Sequence, residues 1–284
     1  MTTPTATTQA GSQMSPGPRG WPILRATLRQ NRIATGLACF YIILIVFVVG
    51  LMFPVLRDVN FLALLSTPVG AALVGGASVQ SENLFATFLS IEFYGVWYCL
   101  MFGGFLAYIA GGAIARSIED GSIDFILTRS FSRSRFYMEQ WAAVLLIALI
   151  MSLWSLLSVY LATVLFEGAQ LEWKWVLLTQ LVLGAFFVFV AGLGLLISSF
   201  VNASRAAGGI VISVLVLAYL MQTLGSLTDR FHWMEQLSPL YYAPSARVLV
   251  NHELVWWHPV VLIGLGLVLM LAGLVVFNRR DIAE

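Results

Sequence analysis

The sequence predicts an all-α polytopic membrane protein: six transmembrane helices, an interfacial helix before the first, and a short cytoplasmic helix between the second and third. Two observations carry this. The composition is 60% hydrophobic and only 10% charged, with mean hydropathy +0.89, too little polar surface for a soluble globule. The apolar residues are gathered into runs of about 20, the length a helix needs to cross a bilayer, and the charges into the intervals between them.

Residues 1–20 are rich in Thr, Ser, Pro and Gly without apolar periodicity and are expected to be a disordered tail ahead of a single membrane domain over 21–284. They do not read as a signal peptide, because the first apolar core starts only near Ile33. Trp21, Leu24 and Leu28 fall on one helical stripe with Arg25, Arg29 and Arg32 beside it. That pattern fits a helix lying in the interface with snorkelling arginines, and equally the basic flank of the first span. Spans are predicted at 34–53, 93–115, 138–166, 175–200, 206–224 and 259–277.

A seventh uncharged stretch, 59–80, is interrupted by Pro68, Gly70, Gly75 and Gly76. Charge decides its status. With six spans one side collects Arg19, Arg25, Arg29, Arg32, Arg116, Arg129, Arg133, Arg135, Arg205, Arg279 and Arg280, eleven of the fifteen basic residues, against Arg57, Lys174, Arg230 and Arg247 on the other. The positive-inside bias makes the first side cytoplasmic, with both termini there, and leaves 59–80 as an external interfacial or re-entrant piece. A cysteine at Ser130 is therefore expected to be shielded from an impermeant thiol reagent in intact cells and one at Ser81 to react; labelling of Ser130 from outside would overturn the topology.

Between the second and third spans lies the one densely charged interval, Arg116 to Arg135. Gly121 is placed to end the preceding helix and Ser122 to cap a new one; Asp124 falls in its first turn, and Ile123, Ile126 and Leu127 share a face. This amphipathic helix on the membrane surface has an apolar face to offer a protein partner.

Several chemistries find no footing. The only lysine, Lys174, sits between two tryptophans, so there is no Gly-x-x-x-x-Gly-Lys phosphate loop. His252 and Glu253 open like a zinc-protease helix, but the second histidine would fall at Trp256. All three histidines map to the outer loop or its edge, which leaves no buried partner for a serine nucleophile. Glu92 and Glu139 are expected at span ends, which argues against a proton relay. Cys39 and Cys99 lie far apart in apolar runs and read as packed thiols. Gly103, Ala107 and Gly111 recur one turn apart for close helix packing, and Gln140, Gln180 and Gln222 read as interhelical glue. The aromatics of 225–258, with Tyr241, Tyr242, Trp233, Trp256 and Trp257 among them, read as interfacial anchors.

Glu119, Gly121, Ser122, Ile123 and Asp124, followed by Ser132 and Arg133, resemble the loop between the second and third spans of type-2 ABC-transporter permeases. There an acidic-x-Gly-small-apolar-acidic run leads to a Pro-x-Ser-Arg turn. The ending Phe277, Arg279, Arg280, Asp281, Ile282 is similar to the Phe-x-Arg-Arg-Asp-apolar ending common in that family. Two positions depart from the pattern: Ser130 replaces the proline, and Glu139 stands where a lysine is frequent. The resemblance implies a permease half. Two six-span subunits, identical or related, would form an export pathway with two copies of a separate cytoplasmic ATPase, which binds the ATP and Mg; this chain itself is no enzyme and carries no cofactor. Ser122 to Arg129, with Ile126 and Leu127, would be the coupling helix, and Glu119, Gly121, Asp124 and Arg133 would belong to the same contact. A pathway without buried charge suits a hydrophobic or amphipathic cargo. The alternative is a membrane anchor or assembly subunit that binds a cytoplasmic partner and moves nothing. Besides lipids no further partner is expected, and a formal net charge of +1 gives no pointer to nucleic acid. An Arg-rich, Lys-poor chain without a targeting sequence fits a bacterial inner membrane.

Overall fold

The computed structural model describes residues 20–58, 84–123, 132–227 and 231–280. Among them there is no strand, and six helices are long and apolar enough to cross a membrane: α1 (Pro22–Asp58), α2 (Leu84–Glu119), α3 (Arg133–Leu165), α4 (Trp173–Phe200), α5 (Ser204–Leu227) and, after two short helices, α8 (Trp257–Arg279). The short ones, α6 (His232–Leu237) and α7 (Ser245–Val250), flank a 3-10 turn, Pro239–Tyr242. The protein is a polytopic all-α membrane protein. The expected tail, most of the coupling segment (124–131) and the 59–80 stretch lie outside the described residues.

The starts of the first two spans differ most from expectation. Residues 22–33 are not a separate element: α1 runs unbroken from Pro22, whose fixed φ suits a first helical position, through the span. Trp21, Arg25, Arg29 and Arg32 are exposed along its start. The second span starts nine residues before the expected Phe93, at Leu84, because Ser90 and Glu92 dilute the hydropathy without breaking the helix. Glu92 is thus inside the helix rather than at its end. Ser90 stays helical by donating its hydroxyl to Ala86 O at 2.7 Å. From Leu89 to Phe102, α2 is a π-helix, a geometry seen mostly as single turns; here it puts Phe93, Tyr94, Tyr98 and Phe102 together on the buried side.

The helices alternate in direction, and side-chain contacts fix this. The start of α1 meets the start of α3 (Ile23 N to Glu139), the start of α3 meets the end of α8 (Arg133 to Arg280 O), and the end of α8 meets the end of α4 (Arg280 to Ser199 O). The end of α2 meets α4 (Ile114 N to Ser198) and the start of α5 (Ser204 N to Glu119). At the other end Phe53 of α1 packs edge-on against Phe85 of α2, centroids 5.0 Å apart. Hence α1 ends and α2 begins on one side, where a single further crossing between them would have put them on opposite sides. Among the described cations, Arg25, Arg29, Arg32, Arg116, Arg133, Arg135, Arg205, Arg279 and Arg280 share one end, and Lys174 and Arg247 the other.

In the most apolar stretch of each helix, 72% of residues are buried in α2 and 67% in α4, against 28% in both α5 and α8, so α2 and α4 form the centre. Lipid tails are as apolar as leucine, so helices in a bilayer associate through close packing of small residues and interhelical hydrogen bonds. Gly192 of α4 lies directly under the Gly266 carbonyl of α8, and Gly194 against Ala110 of α2. A Cβ on Gly111 of α2 would come within 2.8 Å of Gly208 Cα in α5, so the expected small stripe serves packing at Gly111. Gln180 donates to Tyr98 Oη at 2.5 Å and Gln140 accepts from Thr27 Oγ1 at 2.9 Å, both as interhelical links; the Gln222 side-chain oxygen is buried without a partner among the described residues. Cys39 and Cys99 are buried free thiols.

Gly192→Val therefore drives a side chain into the α8 backbone and is expected to cost about 3 kcal/mol or more, whereas Gly184→Ala, with nothing within 4 Å of the new methyl, is expected to be neutral or to gain up to about 1 kcal/mol. Thermal midpoints of monodisperse detergent-purified protein compare the two directly; an unchanged midpoint for Gly192→Val would refute the close contact.

Candidate functional site at the arginine-rich end

The charged interval that separates α2 from α3 is fastened to the bundle on both sides. At the end of α2, Gly121 takes φ +66°, the left-handed region that favours glycine, and its N–H donates to Ile118 O at 3.1 Å. The expected helix stop is there. The backbone is helical again at 122–123, and the amides that Ser122 is expected to cap lie outside the described residues. The Ser122 hydroxyl turns back and donates to Ser117 O at 3.3 Å, because the last carbonyls of α2 lack intrahelical donors.

Glu119 reaches sideways. One carboxylate oxygen accepts from both the amide and the hydroxyl of Ser204, at 2.9 and 2.6 Å, at the start of α5. The first turn of α5 has no acidic residue of its own, so a neighbouring helix supplies the negative charge that its exposed N–H groups and positive dipole end favour. The start of α1 repeats the device. It too lacks an acid, and Glu139 of α3 accepts from Ile23 N at 2.9 Å and Leu24 N at 3.3 Å. The Glu139 side chain is 3% exposed and is paired with Arg135 Nε at 3.0 Å. Glu139 is thus a buried cap, where the sequence reading had an interface residue.

At the start of α3, Ser132 accepts from Arg135 N at 3.2 Å as N-cap. Arg133 donates to Arg280 O at 2.6 Å, the carbonyl just past α8. Arg280 in turn donates to Ser199 O at 2.7 Å and to Asn202 Oδ1 at the end of α4, where a cation complements the negative helix end. Ile123, expected on a docking face, is 1% exposed and belongs to the hydrophobic core of the chain itself.

The sequence-predicted residues Glu119, Gly121, Ser122, Ile123 and Arg133 are therefore close to the joined helix ends, while Asp124, Ile126 and Leu127 lie outside the described residues. Ser204, Glu139 and Arg280 complete the cluster. Arg280 entered the sequence reading only as a count of charge and within a terminal motif, Glu139 only as a span-end residue and a departure from the family pattern, and the capping roles of Glu139 and Ser204 gave no signal because their partners are 116 and 85 residues away. Among the described residues no group of three or more His, Cys, Asp or Glu could hold a metal. What the cluster can do is mechanical: it ties each helix end to the next.

Removing the α1 cap tests its strength. Glu139→Ala leaves two amides unpaired and is expected to cost about 1–3 kcal/mol locally, seen as faster hydrogen exchange at Ile23 and Leu24. Glu139→Gln, which keeps an acceptor oxygen, is expected to lose less. Unaltered exchange in the alanine variant would show that the cap holds nothing.

No curated protein matches the chain. A family described as "Protein of unknown function (DUF2705)" matches residues 65–283, which covers α2 to α8 and every clustered helix end but the start of α1. Over that greater part of its length the chain belongs to the DUF2705 family.

Proposed function

We propose that this chain is the transmembrane permease subunit of an ATP-driven exporter, half of a translocation pathway coupled to a separate cytoplasmic ATPase. The observation that carries the reading is the double fastening of the segment between α2 and α3. Glu119 binds its near end to α5 and Arg133 its far end to α8, so a push on the segment is passed to four spanning helices. The arginine-rich end is then the cytoplasmic one, with both termini on that side. The ATPase, in two copies, supplies ATP and Mg, and a second permease chain completes the pathway in a bacterial inner membrane. With Ile123 buried by its own chain, the docking contact is assigned to Ile126 and Leu127 of the coupling helix.

The burial of Ile123 also favours a second reading, a membrane anchor or assembly subunit that moves nothing and binds its cytoplasmic partner other than through this face. Replacing Ile126 with Asp separates the two. In a docking contact the buried charge costs several kcal/mol, about a thousandfold in affinity for 4 kcal/mol. The ATPase should then fail to co-purify, with loss of stimulated ATP turnover per folded permease. Gln30→Asp, at an exposed site on the same end, is the control. Normal co-purification and turnover in the Ile126 variant would refute the coupling role.

A further inference from the structure

Glu92 lies two turns beyond Phe85, at a depth where the facing residues of α1 are Tyr41, Ile45, Val48 and Val49, the middle of its apolar run. With Trp97 these residues line an open groove of about 460 Å³ between α1 and α2, within the range of about 300–1,000 Å³ that takes a drug-sized molecule. Glu92 is exposed on this groove and has no hydrogen bond or ion pair among the described residues. An ionisable side chain at membrane depth is costly without a partner, and such residues mark ligand or ion sites. The partner needed is a cation with an apolar body. A second copy of the chain does not supply one: the exposed face of α1 around the groove, Phe40, Leu44, Phe47 and Leu51, carries no positive charge, and two-fold pairing there would bring Glu92 towards its own copy. Trp97, in edge-to-face contact with Tyr41 at 5.9 Å, adds a π system that attracts cations.

We propose that the groove between α1 and α2 binds a lipophilic organic cation, with its charge on Glu92 beside Trp97 and its apolar body on Ile45, Val48 and Val49. The inference goes beyond the transport reading and does not need it, since binding requires neither ATPase nor turnover.

The test uses the full chain in phosphatidylcholine nanodiscs and tritiated tetraphenylphosphonium, with empty nanodiscs as background. Saturable binding is expected, weakened about tenfold or more by Glu92→Gln, the loss of one charge contact, and abolished by Val48→Trp. Val48 is 44% exposed, so the larger side chain fills the groove without entering the core and carries the test if Glu92→Gln fails to fold. Tetraphenylborate, of the same shape and opposite charge, is expected not to compete. Equal affinity for wild type and Glu92→Gln overturns the proposal. So does loss of binding in nanodiscs rich in phosphatidylethanolamine, which would assign the carboxylate to a lipid headgroup, and so does cross-linking of two chains through cysteines placed at position 92.

Discussion

Backbone-to-backbone contact around α4 is the constraint on which the bundle rests. In a bilayer no hydrophobic gain separates a helix packed on lipid from one packed on another helix; what remains is how closely the surfaces fit. Gly192 and Gly266 let α4 and α8 touch main chain to main chain, Gly194 receives Ala110 of α2, and Gly111 and Gly208 bring α2 onto α5. The interhelical polar links, Gln180 to Tyr98 and Gln140 to Thr27 among them, reach their partners only because the helices stand at these separations. α5 and α8 can leave most of their surface to lipid because their small residues hold one face each against the centre.

The arginine-rich end depends on that geometry in turn. Carboxylates on α2 and α3 cap α5 and α1 across helix boundaries, and Arg280 caps α4 from beyond α8. Each of these bonds satisfies a main-chain group that its own helix leaves open, so these helix ends are well paired across the bundle. Exposed ion pairs contribute little stability. The Glu139 carboxylate differs, being buried and shared between two amides and Arg135.

The six-span architecture was legible because it depends on length and hydropathy, and the parity of the spans because charge asymmetry reports it. Gly121 was legible as a stop because a left-handed residue after a helix calls for glycine. Glu139 and Glu92 were both read as boundary residues for the same reason: hydropathy registers a carboxylate as the edge of a span, whether it caps another helix or faces a groove. The continuity of α1 from Pro22 was missed since arginines lower the local apolar average without lowering helix propensity. Ile123 looked available because a sequence gives the face of a helix but not what lies against it.

The first turn of α3 holds both outer helices of the chain, two residues apart: Arg135 donates to Gly20 O just before α1, and Arg133 to Arg280 O just after α8. The fold is therefore closed like a ring, with α3 as the buckle. During synthesis α3 is made long before α8, so the buckle waits half-fastened, and Ser199 at the end of α4 waits with it, until the last span is in place. A chain cut short before α8 leaves Ser199 O and the Arg133 guanidinium without these partners at the same edge, so that the arrival of α8 is registered at the very surface where the segment between α2 and α3 is anchored.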